Sequence, residues 1–139
     1  MKKYWLTFAS VLMIVIGLLR GMGGLTLLTS SEKPELDTPI TGSPTELKMA
    51  AYSLLIVCFL LIISAVCITI RRSVRNYAFC WVSLLLFLAG GMLNGFLLFG
   101  HLQGSGQLIN WGLSILIGIF LVLGKDTVKS KYIQSYEYK

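Results

Sequence analysis

The sequence predicts an all-α membrane protein, an antiparallel bundle of four transmembrane helices that forms a single domain over residues 1–139, with both termini in the cytoplasm. Three observations predict it: an apolar composition, the grouping of apolar residues into four long segments, and an uneven distribution of basic residues. Hydrophobic residues make up 55% of the chain and charged residues 13%, with a mean hydropathy of +0.78. Ordinary soluble domains carry about 25% charged residues, and a soluble chain of this length could not bury so much apolar surface.

Four apolar segments are long enough to cross a membrane, since a transmembrane helix needs about 20 predominantly apolar residues. The segments are continuous and do not alternate between polar and apolar residues, which favours helices over barrel strands. Before the second span, the spacing of Ser43 and Glu46 indicates a capping box, which predicts that the second helix starts at Ser43 or Thr45. The predicted spans cover residues 4–28, 49–70, 77–100 and 108–124.

The basic residues predict the orientation. Nine of them lie near the two termini or between the second and third spans, whereas the other two connections contain only Lys33 and Lys48. Because cytoplasmic connections are enriched in Lys and Arg, we expect the loop 29–48 and the turn 101–107 to be outside and the tail 125–139 to be cytoplasmic. The Met-Lys-Lys start and the compact multi-pass form favour a bacterial inner membrane. A cleaved secretory signal is disfavoured, because the first apolar segment is too long and lacks a small-residue cleavage site.

The sequence contains no recognisable catalytic or cofactor-binding motif. His101 is the only histidine, so the chain by itself cannot form a bis-histidine haem site or a multi-histidine metal site. Its three cysteines form no Cys-x-x-Cys pair. Attraction to anionic membrane lipids is the favoured interpretation of the basic tail, and docking of a cytoplasmic partner is the alternative. We therefore expect no metal, no cofactor, no catalytic residue and no nucleic-acid partner, and a non-enzymatic role is favoured over catalysis.

Glycines mark one face of two of the predicted helices. Gly17, Gly21 and Gly24 recur at helical spacing in the first span, and Gly91 and Gly95 do so in the third. Faces without side chains let helices approach closely, which favours their association in lipid. We expect these glycines to serve packing within the bundle. The alternative is contact with a second membrane subunit or with another copy of the chain.

Two of these glycine segments resemble each other. GLLRG at residues 17–21 and GMLNG at 91–95 each contain glycines four residues apart, with a polar residue just before the second. This similarity suggests that the first helical hairpin is repeated as the second, related by an axis along the membrane normal.

Arg20 places a permanent positive charge inside the first span. It lies about 6 Å from the helix centre towards the outside, at a rise of 1.5 Å per residue, and Asn94 and Asn110 are expected at a similar level. Around the helix, Arg20 lies next to the glycine face, so we expect its side chain to point into the bundle. Aromatic residues and the single histidine lie towards the outer ends of the other helices. The predicted ligand- or partner-binding residues are Arg20, Asn94, Asn110, Tyr52, Trp111 and His101.

No acidic residue lies within a predicted span, so the charge of Arg20 needs a partner from elsewhere. Exposure of an arginine to lipid at the helix centre costs about 2.5–3.5 kcal/mol on insertion scales. Three hypotheses remain open. The side chain extends outward to a lipid phosphate or to Glu46; it binds a ligand carboxylate, phosphate or electron-rich carbonyl together with Asn94 and Asn110; or it meets an acidic residue of another membrane subunit.

The segment LLRGMGGLTLL, residues 18–28, resembles the first helix of DoxX-like proteins, which are small four-span bacterial proteins associated with membrane redox systems. The resemblance covers these residues only, and Arg20 lies deep in the span where that family has its arginine near the start. It implies a membrane redox accessory or a quinone-linked enzyme subunit. From the residues themselves we expect an accessory subunit, or a protein that binds an anionic amphiphile, a lipid or the carboxylate of a partner.

Overall fold

Four long α-helices make up the computed structural model, which describes the backbone of residues 2–29, 40–101 and 104–134. Side chains are described for residues 4–29, 40–101 and 107–128. Each helix contains a segment long and apolar enough to cross a membrane, which confirms the four predicted spans. The helices are α1 (Lys2–Thr29), α2 (Pro44–Ile70), α3 (Val74–Phe99) and α4 (Gly104–Gln134).

Local capping chemistry sets the helix ends around α2 and α3. Ser43 caps α2: its side chain accepts a hydrogen bond from the Glu46 amide, and the Glu46 carboxylate accepts one from the Ser43 amide. This confirms the predicted capping box and places the start of the helix after Ser43. Ser73 caps α3 through the Asn76 amide, and α3 ends at Gly100, whose φ of 70° favours glycine.

The bounds of the helices differ from the prediction mainly in α4. This helix starts at Gly104, before the predicted span begins, and continues to Gln134 instead of stopping at residue 124. The prediction placed the ends where the apolar residues stop, but backbone hydrogen bonds continue through polar residues, and the segment 125–134 contains no proline to interrupt them. Residues 30–39 of the predicted outer loop and 135–139 of the predicted tail lie outside the described residues.

Each helix packs against two others, so that α1 and α3 both contact α2 and α4. The α1–α2 interface is the most extensive and the α3–α4 interface the least. The shared core is apolar and includes Met13, Leu61, Phe87, Ile117 and Leu121. Many large apolar side chains point outward from all four helices, which suits a surface that faces lipid.

The chain before α2 is attached to the end of α3. The backbone amides of Thr41 and Gly42 both donate hydrogen bonds to the carbonyl oxygen of Leu98, at 3.0 and 3.2 Å. Ile40 is buried beside this attachment. The start of α2 and the end of α3 are therefore held together at one end of the bundle.

Candidate functional site

Arg20 points into the bundle. Its Nη2 donates a hydrogen bond to Oδ1 of Asn110 on α4, and its Cζ lies 5.3 Å from the centroid of the Phe87 ring on α3. An amide oxygen and an aromatic ring stabilise a guanidinium, but neither carries a full negative charge. Among the described residues, the positive charge of Arg20 is therefore solvated by neutral groups and is not cancelled.

A small cavity of about 110 Å³ lies beside the guanidinium, and we call it the polar pocket. Asn94 and Asn110 are each only 5% exposed. Within the described part of the chain, Asn94 Oδ1 and Gln107 Nε2 are buried without a hydrogen-bond partner. The pocket is lined by Arg20, Gly91, Asn94, Gly95, Leu98, Phe99, Gln107 and Asn110.

Helical spacing explains why these side chains meet. On α3, Phe87, Gly91 and Asn94 follow one another at steps of four and three residues, which places them on one face. Gly91 provides the room on that face, because a Cβ at this position would lie 2.7 Å from the Asn110 amide nitrogen. On α4, Gln107 precedes Asn110 by three residues and shares its face.

The structure brings together three of the six predicted binding residues. Arg20, Asn94 and Asn110 line the same pocket, in agreement with the similar depth predicted for them. The carboxylate of Glu46, one proposed partner of Arg20, instead accepts the hydrogen bond of the Ser43 amide in the helix cap. The side chain of Arg20 thus points towards α3 and α4 instead of towards the start of α2.

The other three predicted residues lie apart from the polar pocket. The side chain of Tyr52 is 57% exposed, on the face of α2 that points away from the bundle. His101 is also exposed, and its Nδ1 lies 2.8 Å from the carbonyl oxygen of Phe99. Trp111 follows Asn110 directly and therefore points about 100° away from it. It lines a different cavity, described below.

Gln107 and Phe87 were not predicted as site residues. Gln107 was assigned to a turn, because the fourth helix was predicted to start at residue 108. Phe87 lay within the third predicted span and was given no role. The spacing on α3 and α4 contained the signal for both, since each lies one or two turns from an asparagine on the same helix face.

A second and larger cavity of about 450 Å³ lies between α3 and α4, and we call it the α3–α4 groove. Its lining is almost entirely apolar and includes two tryptophans. Ser114 contributes the one hydroxyl of this lining, and in the described residues its Oγ is buried without a hydrogen-bond partner. The groove is lined by Trp81, Leu84, Leu85, Leu88, Met92, Trp111, Ser114, Ile115 and Gly118.

The predicted glycine face of α1 packs against α2. A Cβ at Gly24 would lie 2.9 Å from the backbone oxygen of Ala51, and one at Gly17 would lie 3.2 Å from that of Cys58. Gly21 lies against the Cys58 side chain. This face is covered within the chain, so another subunit would have to bind elsewhere. Of the α3 glycines, Gly91 and Gly95 line the polar pocket.

The polar pocket combines one charged side chain with neutral polar ones. It offers a permanent cation, three amide side chains and a phenylalanine, and its lining residues include no hydroxyl or thiol. Comparison with protein-family models, curated proteins and solved structures gave no match for this chain. The resemblance to DoxX-like proteins therefore rests on the residues of the first span alone.

Proposed function

We propose that this chain is a small multi-pass protein of a bacterial inner membrane that binds an anionic amphiphile, with the acidic headgroup in the polar pocket. The observation that carries the proposal is the environment of Arg20. Its guanidinium is turned into the bundle towards neutral partners and stands beside an amide, Asn94, that is buried with an unpaired oxygen. An uncompensated charge and an unpaired polar atom in the same small cavity favour a ligand that completes both.

The proposed topology is an antiparallel bundle with cytoplasmic termini. Successive α1 residues meet α2 in reverse order: Gly17 lies against Ile62, and Gly24 lies against Ala51. Short connections between α2, α3 and α4 also favour antiparallel neighbours. Together with the basic residues near the termini and in the second connection, this topology puts the polar pocket in the outer half of the membrane.

An acidic headgroup matches the donors of the pocket. The guanidinium carries five N–H donors in a planar fork, and the contact with Asn110 uses only part of that fork. Carboxylate and phosphate groups accept such donors in pairs, with charge-assisted bonds stronger than neutral ones. Because the oxygen and nitrogen of an amide exchange places by a half-turn, Asn94 also offers either a donor to the acid or an acceptor to a headgroup hydroxyl.

Native mass spectrometry of the protein purified in mild detergent tests this proposal. We expect acidic lipids to be retained over zwitterionic ones, and Arg20→Gln to reduce that retention about tenfold, which corresponds to about 1.4 kcal/mol. Arg20→Lys is the matched control, because it keeps the charge and loses only the planar fork. Equal retention by folded Arg20→Gln protein would refute the proposal.

Asn110→Asp gives an independent test, since it places a carboxylate where the guanidinium now meets an amide oxygen. The side chain keeps its shape, so we expect the variant to fold and to lose its preference for acidic lipids. The same spectra separate the other hypotheses. A co-purifying polypeptide removed by Arg20→Gln would indicate a partner carboxylate, and a bound species with the mass of a quinone would indicate the redox-accessory alternative.

A further inference from the structure

The polar pocket and the α3–α4 groove meet at one level of the bundle. On α3, Gly91 lines the pocket and its neighbour Met92 lines the groove. On α4, the same division falls between Asn110 and Trp111. The two cavities therefore lie next to each other along the same two helices, and none of the described residues lines both.

The polar atoms along α4 decrease in number from the pocket into the groove. Gln107, Asn110 and Ser114 follow one another at steps of three and four residues and share one helix face. The first two line the polar pocket, and Ser114 lines the groove. Ser114 is 5% exposed, and its Oγ has no hydrogen-bond partner within the described residues. One turn further along the helix, Gly118 marks a part of the groove that has no polar side chain.

The remainder of the groove has the length and surface of a hydrocarbon site. From Met92 to Trp81, α3 borders it over about 16 Å at 1.5 Å per residue. A volume of about 450 Å³ lies in the range of small-molecule sites. Leu85 and Ile115 on its two sides are 62% and 63% exposed, so the groove is open laterally towards the surrounding membrane.

We propose that the α3–α4 groove holds a hydrocarbon chain of the same amphiphile whose headgroup occupies the polar pocket. This inference rests on the proposed function and narrows its ligand to an acidic lipid with ester-linked chains. The sequence of groups in such a lipid matches the sequence of groups along α4. The acidic headgroup lies at Arg20 and Asn110, and the ester carbonyl accepts a hydrogen bond from the Ser114 hydroxyl. The hydrocarbon chain runs past Gly118 towards Trp81.

Charge and polarity favour a lipid over a second copy of this chain as the occupant. The cation lies at the polar pocket, and the neighbouring groove is apolar apart from one hydroxyl, which is the order of polarity in a lipid molecule. A helix from another copy would present side chains of uniform apolarity to the groove. It would leave both Arg20 and Ser114 without their complements.

The groove can be tested by tryptophan quenching, because two of the three tryptophans line it. The third, Trp5, stacks on Phe120 at a centroid distance of 5.5 Å and is replaced by Trp5→Phe to keep an aromatic ring there. The full chain is placed in phosphatidylcholine nanodiscs with a small fraction of lipid brominated on its chains. That brominated lipid carries either a phosphatidylglycerol or a phosphatidylcholine headgroup. We expect stronger quenching by the phosphatidylglycerol form.

Two glycines of α4 supply a matched pair of variants. A Cβ at Gly118 would face the Trp81 ring at 3.5 Å inside the groove, whereas a Cβ at Gly112 would meet nothing within 4 Å. We expect Gly118→Leu to weaken the headgroup-selective quenching about tenfold and Gly112→Leu to leave it unchanged. Gly118→Ala, whose methyl group fits without displacing the ring, gives a smaller loss and remains informative if the leucine variant fails to fold.

The outcomes separate this inference from the proposed function. Quenching that is the same for both headgroups would overturn both. Headgroup-selective quenching that depends on Arg20 but is equal in Gly118→Leu and Gly112→Leu would overturn the groove assignment alone. Selective quenching lost in Arg20→Gln and weakened by Gly118→Leu supports both.

Discussion

The α1–α2 and α3–α4 interfaces start from similar sequences and pack differently. Each includes a helix with glycines four residues apart and a polar residue before the second, GLLRG at 17–21 and GMLNG at 91–95. The first interface is the most extensive in the bundle. The second is the least extensive and borders both the polar pocket and the α3–α4 groove.

The residues opposite the glycines account for the difference. Gly24 of α1 faces the backbone of Ala51, so the two helices approach until main chain meets main chain. Gly91 of α3 faces the Asn110 side chain, and Gly118 of α4 faces the Trp81 ring. In the α1–α2 interface a backbone oxygen lies opposite both Gly17 and Gly24, whereas in the α3–α4 interface only side chains lie opposite Gly91 and Gly118.

The largest expected effect is that of Gly24→Ala in the closed interface. The new Cβ would lie 2.9 Å from the Ala51 oxygen, and a backbone atom cannot move aside without shifting α2. We expect a loss of about 1–3 kcal/mol in the free energy of unfolding, typical of overpacking. Titration with SDS in mixed micelles, followed by tryptophan fluorescence, measures it.

The adjacent Gly23 is the control for this variant. A Cβ there would meet nothing within 4 Å, so Gly23→Ala should change the free energy of unfolding by less than about 0.5 kcal/mol. Equal free energies of unfolding for the two alanine variants would contradict a close packing of Gly24 against the α2 backbone.

An intermediate effect is expected for Gly91→Ala at the border of the polar pocket. The new methyl group would meet the Asn110 amide nitrogen at 2.7 Å, and this side chain can turn away. We expect a stability loss of about 0.5–1.5 kcal/mol, the cost of an off-rotamer side chain. Because the turn breaks the contact of Asn110 with Arg20, retention of acidic lipid should fall more than stability does. Native mass spectrometry and the SDS titration together measure the two changes.

Lipid retention at the wild-type level in Gly91→Ala would show that the position of Asn110 is not needed for binding. Gly112→Ala serves as its control on α4, since a Cβ there faces open space.

The smallest effect is expected for Gly118→Ala in the open interface. The new Cβ would lie 3.5 Å from the Trp81 ring, an ordinary van der Waals contact, so stability should change by less than about 0.5 kcal/mol. The same Gly-to-Ala change is thus costly in α1–α2 and nearly neutral in α3–α4. A loss as large as that of Gly24→Ala would mean that the α3–α4 groove is closed when the protein is in its membrane.

The four helices could be predicted from the sequence because a membrane span imposes its own length and apolarity on the residues that form it. The exact bounds could not, since helical hydrogen bonding continues beyond the apolar segment, as α4 does to Gln134. The tight cap at Ser43 was predictable because its chemistry is local, involving residues three apart.

The polar pocket was predictable in part. Arg20 was placed by depth and by helical phase, Asn94 and Asn110 were placed at a similar depth, and the structure puts the three together. Tyr52 was placed by depth alone, and it faces outward because the inward face of α2 is formed by the neighbouring alanines. The level of a residue along a helix and the side of the helix on which it lies are independent. A residue joins a cluster only when both its level and its side bring it next to the other members. The groove was not predictable, because it depends on how far apart two helices stand.

The contact between Arg20 and Asn110 also bears on how the protein is made. The two residues are 90 positions apart, on the first and the fourth helix. At about 5–20 residues per second, a ribosome needs about 5–18 s to go from one to the other. Every nascent chain therefore passes through a stage at which Arg20 has been synthesised and its amide partner has not.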